Sequence, residues 1–238
     1  VSLLSMVTQV CRRIGITAPN AVYSSADPQI IQLLALANEE GEELSSRYPW
    51  QSMRKEANFT TVATESQGNM TTLTGADFRY IVNETFYNRS LRRPVFGPLS
   101  DDQWQNLKAM QINGPWNQYR IRGNQMLFIP VPAAGQSCYF EWQSKNWCSD
   151  STGVTTRSSW GADDDIGILD ETLMLHGLVW RWKQAKGFDY SEDFAKYEAL
   201  VADAESRDGG KPILTGDMNK YDVYPGVLVP SGSWSIAP

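Results

Sequence analysis

Asp170-Glu171-Thr172-Leu173-Met174-Leu175-His176-Gly177-Leu178-Val179-Trp180-Arg181-Trp182-Lys183-Gln184-Ala185-Lys186 decides the architecture. A helix drawn through this stretch is apolar on most sides, so it is expected at the centre of a layer rather than on its surface. Gly187 can stop it. A central helix needs neighbours, and the sequence offers them at both ends of the chain. Ser191 starts one whose stripe is Phe194, Tyr197, Val201 and Ala204, with Glu192, Asp193, Lys196 and Glu198 outward and Gly209-Gly210 as the stop. Ser2 starts another, with Leu3, Val7, Val10 and Ile14 on one face and Arg12 and Arg13 before Gly15. The signal at Asp27-Pro28 is stronger. Asp27 can cap the orphan amides, and Pro28 occupies the first helical position, where its missing N–H costs nothing. Ile30, Leu33, Leu34, Ala37 and Leu44 then recur at helical spacing until Tyr48-Pro49.

Between these helices the pattern changes. From Arg54 to Thr74 the composition is Thr, Val, Asn and Phe with local alternation, which predicts strands separated by polar turns. The stretch Phe78 to Tyr87 is undecided between sheet and irregular connection. Ser100 and Gln103 form a capping box before a short helix with Trp104 and Leu107. Gly123-Asn124 between Tyr119–Arg122 and Gln125–Ile129 predicts a tight hairpin, since a two-residue turn needs positive φ. Cys138, Phe140 and Trp142 alternate with Tyr139, Glu141 and Gln143, predicting a third strand of the same sheet. A Ser/Thr/Gly loop is expected from Asn146 to about Gly161.

This order is not the βαβ alternation of a parallel fold. It predicts α+β: an antiparallel bundle of four helices from both chain ends, with an inserted antiparallel β section. The expected boundaries are 1–50 and 163–210 for the two parts of the bundle, and 51–162 for the β-rich insertion with one short helix. Residues 211–238 lack periodicity but carry Tyr221, Tyr224 and Trp234 among four prolines, which predicts an extended C-terminal arm that packs on a partner.

Composition limits the function. Across 238 residues, 42% apolar and 20% charged is ordinary globular usage, and Lys+Arg 21 against Asp+Glu 27 leaves a net charge of -6. A dedicated nucleic-acid binder, which works by releasing phosphate counterions, is disfavoured. Three widely spaced cysteines, Cys11, Cys138 and Cys148, and one histidine argue against a disulfide framework or a zinc site. With no secretory signal and no long apolar run, a soluble protein of a reducing compartment without membrane contact is expected. The sequons at Asn58, Asn69, Asn83 and Asn88 then read as chance matches.

No residue set carries chemistry. His176 lies mid-helix in an apolar stretch and reads as a buried histidine; no nucleophile elbow or P-loop accompanies it. Asp163-Asp164-Asp165 could bind a cation, but reads better as acid gathered before a helix N-terminus. No catalytic residue, cofactor or metal is expected. The nine tryptophans are the outlier. Trp and Arg anchor interfaces, so Arg89, Arg92, Arg93, Trp104 and Trp116, and towards the C-terminus Tyr221, Tyr224 and Trp234, are candidates for contacts with another protein chain. The alternative is a carbohydrate-binding or weakly glycosidic module, which needs Trp104, Trp116, Trp142 and Trp147 open to solvent.

Asn83-Glu84-Thr85 through Tyr87-Asn88-Arg89, Arg92-Arg93-Pro94 and Gly97-Pro98-Leu99-Ser100 before a Trp-bearing helix resemble the head-to-tail adaptor (connector) proteins of tailed bacteriophages, of the tail tubular protein A type. Arg120-Ile121-Arg122-Gly123-Asn124, Pro130-x-Pro132, Glu141-Trp142 with Ser144-Lys145-Asn146-Trp147, Trp180-Arg181-Trp182-Lys183 with Ala185-Lys186-Gly187, Asn38-Glu39-Glu40 and Arg47-Tyr48-Pro49-Trp50 are similar too. The resemblance spans roughly residues 1–215. It implies a helical bundle with a β insertion and a C-terminal extension that contacts the portal protein, which would make Tyr221, Tyr224 and Trp234 a portal interface and Arg89, Arg92, Arg93, Trp104 and Trp116 an inter-subunit or tail interface. It also implies a non-enzymatic virion protein of the neck, assembled in the bacterial cytoplasm, forming a twelve-fold homo-oligomeric ring. Such a ring extends the DNA channel for ejection and holds the tail tube or nozzle protein, while DNA passes without specific binding.

Overall fold

The computed structural model describes residues 2–110, 114 and 116–209. Helix α1, Leu3–Ile14, starts where the Ser2 hydroxyl accepts from the Ser5 amide at 3.4 Å, and ends at Gly15, whose φ of 77° lets its amide reach the Cys11 carbonyl. Helix α2, Pro28–Arg47, is capped by Asp27, which accepts from the Gln29 amide at 2.9 Å. A 3₁₀ turn, Gln51–Met53, then leads into β1, Arg54–Thr60.

The β section continues with β2 (Ser66–Asn69), the single turn α3 (Met70–Leu73), β3 (Phe78–Ile81), β4 (Tyr87–Asn88) and β5 (Arg93–Pro94). Helix α4, Asp101–Met110, begins at the expected capping box. The Ser100 amide donates to Gln103 Oε1 at 3.0 Å, and the Gln103 amide to Ser100 Oγ at 3.3 Å. The hairpin of β6 (Gln118–Arg122) and β7 (Gln125–Ile129) turns through Gly123 and Asn124, with φ of 56° and 63°. The remaining strands are β8 (Ser137–Ser144), β9 (Cys148–Ser149), β10 (Thr156–Arg157) and β11 (Ile166–Gly167). Helix α5, Glu171–Ala185, is capped by Asp170, and α6 follows at Ser191–Arg207.

The fold is α+β with antiparallel sheets, and two strand expectations are corrected. Strand β8 does not join the hairpin's sheet, which has the order β2-β7-β6. Pro130 and Pro132 follow β7 and interrupt its ladder, and β2 takes the open edge. Instead β8 pairs with β1 from Arg54↔Gln143 to Thr60↔Ser137, and with β3 and β4, in a five-stranded sheet edged by β5. The expected loop after Asn146 contains β9 and β10, which form a small sheet with β11.

Two cores result. Every residue of α5 from Leu173 to Trp182 is buried, and α5 packs against α1, α2 and α6. Trp147, Cys148, Trp160 and Leu169 join this helical core, although all but Leu169 precede the expected return to helices. The β core is aromatic, with Phe59, Phe86, Phe128 and Phe140 in edge or tilted contacts and Tyr119 and Trp142 beside them. At the seam Arg79 donates to the Ser45 carbonyl at 2.7 Å, Gln143 to the Trp50 carbonyl at 3.2 Å, and Asp77 accepts from Lys55 Nζ and Ser144 Oγ, both at 2.7 Å.

Two glycines allow close approach in the helical layer, Gly41 of α2 to Trp147 and Gly177 of α5 to α2. A Cβ on Gly41 would lie 2.5 Å from the Trp147 ring, and one on Gly177 would collide with the Glu40 carboxylate. That carboxylate is buried. Its Oε2 accepts from Arg181 Nε and its Oε1 from the Tyr197 hydroxyl, each at 2.7 Å, while Arg181 also reaches Glu39 at 2.8 Å and Glu43 at 2.6 Å. Burial pushes the Glu40 carboxyl up. Burial also works against the Arg181 charge, but its bonds to Glu40 and Glu43 outweigh this and hold it protonated.

Candidate interaction surface

The short hairpin of β4 and β5 is built around Asn88. Its side chain, 1% exposed, donates to Gln136 Oε1 at 2.7 Å and accepts from the Leu91 amide at 3.0 Å, which fixes the turn from within. Phe86 and Val95 anchor the two sides in the β core, with the Val95 amide bonded to the Phe86 carbonyl at 2.9 Å. Between them Asn88 turns inward, Pro94 is half-buried, and Tyr87 and residues 89–93 are exposed. Arg92 holds a φ of 53°, a left-handed conformation that costs a residue with a Cβ roughly 1–2 kcal/mol.

Three of the basic residues singled out in the sequence sit on this hairpin, and the fold adds an aromatic floor to them. The Arg89 guanidinium lies 3.5 Å from the centre of the Tyr139 ring and pairs with Glu56. Arg93 lies 5.5 Å from the centre of the Trp116 ring, which meets Phe96 edge-on at 5.8 Å. Arg93 and Trp116, distant in the chain, are thus brought together. The cause is a parallel bridge: Phe96 bonds through its amide to the Asn117 carbonyl at 3.0 Å, and its carbonyl accepts from Tyr119 at 2.8 Å, which draws the approach to β6 beside β5. Leu91, Phe96 and Trp116 are exposed at 43%, 47% and 38%. Sequence reasoning missed Leu91, Phe96 and Tyr139. The signal for the first two was their place in or beside the one basic run.

Trp104 is placed differently. It is 1% exposed, so its ring has no face to offer a partner and fills the interior under α4. Trp142 and Trp147 are also buried, which leaves Trp116 as the exposed member of the set that a sugar-stacking module requires. The carbohydrate reading is corrected on that ground. Tyr221, Tyr224 and Trp234 lie outside the described residues.

The acidic run is also corrected. Asp163 Oδ1 accepts from the Val22 and Tyr23 amides at 2.8 and 2.7 Å, and Asp165 is buried, bound by Arg157 and by the Gly161 amide at 2.6 Å. These carboxylates knit loops rather than serve the α5 dipole, which Asp170 caps. Among the described residues no group of three or more His, Cys, Asp or Glu is placed to hold a metal ion, and no helix is long and apolar enough to cross a membrane. His176 is buried in α5 and its pKa is lowered, first by burial and then by Lys196 and Arg13. Burial pushes the Cys138 and Cys148 thiols up to about 12, so both stay protonated and unreactive. The surface can therefore bind by charge and ring contact. A family model described as SU10 adaptor protein matches residues 1–213. No curated protein matches the chain.

Proposed function

The chain belongs to the SU10 adaptor protein family, and from that membership we propose that it is a structural virion protein joining head to tail in a tailed bacteriophage. The observation that carries the reading is the extent of the match, which takes in both cores and every described element. In this reading the protein is not an enzyme. It forms a ring below the portal, twelve-fold as in adaptors of the tail tubular protein A type, with the four terminal helices acting as one bundle. The ring lengthens the DNA channel, and its far side is the platform for the tail tube or nozzle protein. The residues of 211–238 form the arm that meets the portal, through Tyr221, Tyr224 and Trp234.

The charge balance agrees with a conduit. A chain of net charge -6 does not hold DNA by counterion release, so phosphate slides past it. A ring also requires two different adhesive faces per subunit, because a head-to-tail contact closes only by rotation. Negative-stain imaging of the purified protein with and without a portal ring, with light scattering for mass, tests the reading. Rings, or monomers that become rings on the portal, are the expected result; a monomer that ignores the portal overturns it.

A further inference from the structure

We propose that the Arg89–Phe96 hairpin together with Trp116 is one half of a head-to-tail contact between copies of this chain. The other half is the carboxylate strip Glu39, Glu42 and Glu43 on α2 of the next copy. This deepens the ring reading and rests on it. Residues 87–96 hold three arginines and no acid in a chain of net charge -6. Glu56 answers Arg89, Arg93 leans on Trp116, and Arg92 has no partner among the described residues. Around these charges lie Leu91, Phe96 and Trp116, an exposed apolar centre with guanidinium groups at its rim. Aromatic rings and arginine are what desolvated interface centres are made of. Arg92 adds an independent sign. Glycine would adopt its φ of 53° without strain, yet the position keeps a long cation on a base that Asn88 holds still.

The same patch cannot pair with itself, since a two-fold contact through the hairpin would set arginine against arginine. It needs an anionic face elsewhere, and α2 offers one. Glu39, Glu40 and Glu43 share the single cation of Arg181, which is 4% exposed, while the Glu39 and Glu43 side chains remain 61% and 51% exposed. Glu42 lies exposed beside them. Arg47, at the end of the same helix, is occupied by Glu198 and Glu205 of α6. Among the described residues the strip therefore keeps a negative excess over the one guanidinium it shares. Basic hairpin and acidic strip are different patches of the chain, so in the proposed ring their contact is heterologous and propagates from copy to copy.

Charge exchange tests this by sedimentation velocity over a range of concentration. The wild type should self-associate more weakly as salt rises. R92E/R93E and E39K/E42K should each associate at least about tenfold more weakly, and their equimolar mixture should recover association, because acid-only and base-only chains alternate. R92G relieves the backbone, so it should melt within about 2 °C of the wild type yet associate about tenfold more weakly. If E39K/E42K does not fold, R92E/R93E added in small amounts should cap wild-type assemblies, having one dead face and one live one. Wild-type association in R92G and R92E/R93E, or a folded pair that does not recover on mixing, overturns the proposal and leaves the ring reading standing. A wild type that never self-associates, alone or on the portal, overturns both.

Discussion

Glu40 illustrates what one residue can commit a fold to. On α2 it falls on the face of Leu33, Ala37 and Leu44, unlike its exposed neighbours Glu39, Glu42 and Glu43, but the spacing does not say what would answer its charge there. Only α5 and α6 together supply Arg181 and Tyr197. Removing Arg181 leaves the buried Glu40 carboxylate without its cation, so R181M should lose about 3–5 kcal/mol in urea denaturation, while E40M/R181M should lose much less. A loss in the double variant as large as in R181M would sink this account. Gly177 is the counterpart on α5, where a methyl group would enter the space of the Glu40 carboxylate. G177A should cost about 1–3 kcal/mol by the same measurement, with no change expected from an alanine at the uncrowded Gly114. The interaction surface was half legible at this scale. Arg89, Arg92 and Arg93 stood out as the one basic run, but composition could not say that Trp116 lies under Arg93 while Trp104 lies inside.

Among the elements, those whose ends carry local chemistry were read correctly. Ser2, Asp27, Asp170 and Ser100 mark helix starts because their side chains bond amides two or three residues on, an interaction that needs no tertiary partner. The Gly123-Asn124 turn is equally local. Strand partnership is not, and it failed for β8, whose alternation fits any sheet. Its far end also breaks the alternation: Gln143 is buried and donates to the Trp50 carbonyl in the helical core, and Ser144 is buried and donates to Asp77. At that seam burial raises the Asp77 carboxyl, but its bonds from Lys55 and Ser144 outweigh burial and hold it below the ordinary carboxylate range. The stability this contributes is complete above that range and lost as pH falls through the depressed value. D77N should therefore melt lower than the wild type at neutral pH, and the gap should close in acid. A gap that persists unchanged under acid conditions would show that Asp77 acts by shape alone.

At the scale of the molecule, both cores lie before residue 208. Deleting 211–238 should therefore leave the circular-dichroism spectrum and melting temperature near those of the full chain, while binding to a portal ring is lost. Retained binding in a pull-down would remove the arm from the proposed contact. The sequence by itself determined the element order, the helix starts, the tight hairpin, the central place of α5 and the kinship to phage adaptors, because periodicity, caps and turns act over a few residues. Tertiary structure alone decided which strands pair, which tryptophans are buried, and that Arg93 meets Trp116. Those outcomes depend on chain segments far apart in sequence competing for the same edges and the same apolar space, and no local pattern encodes who wins.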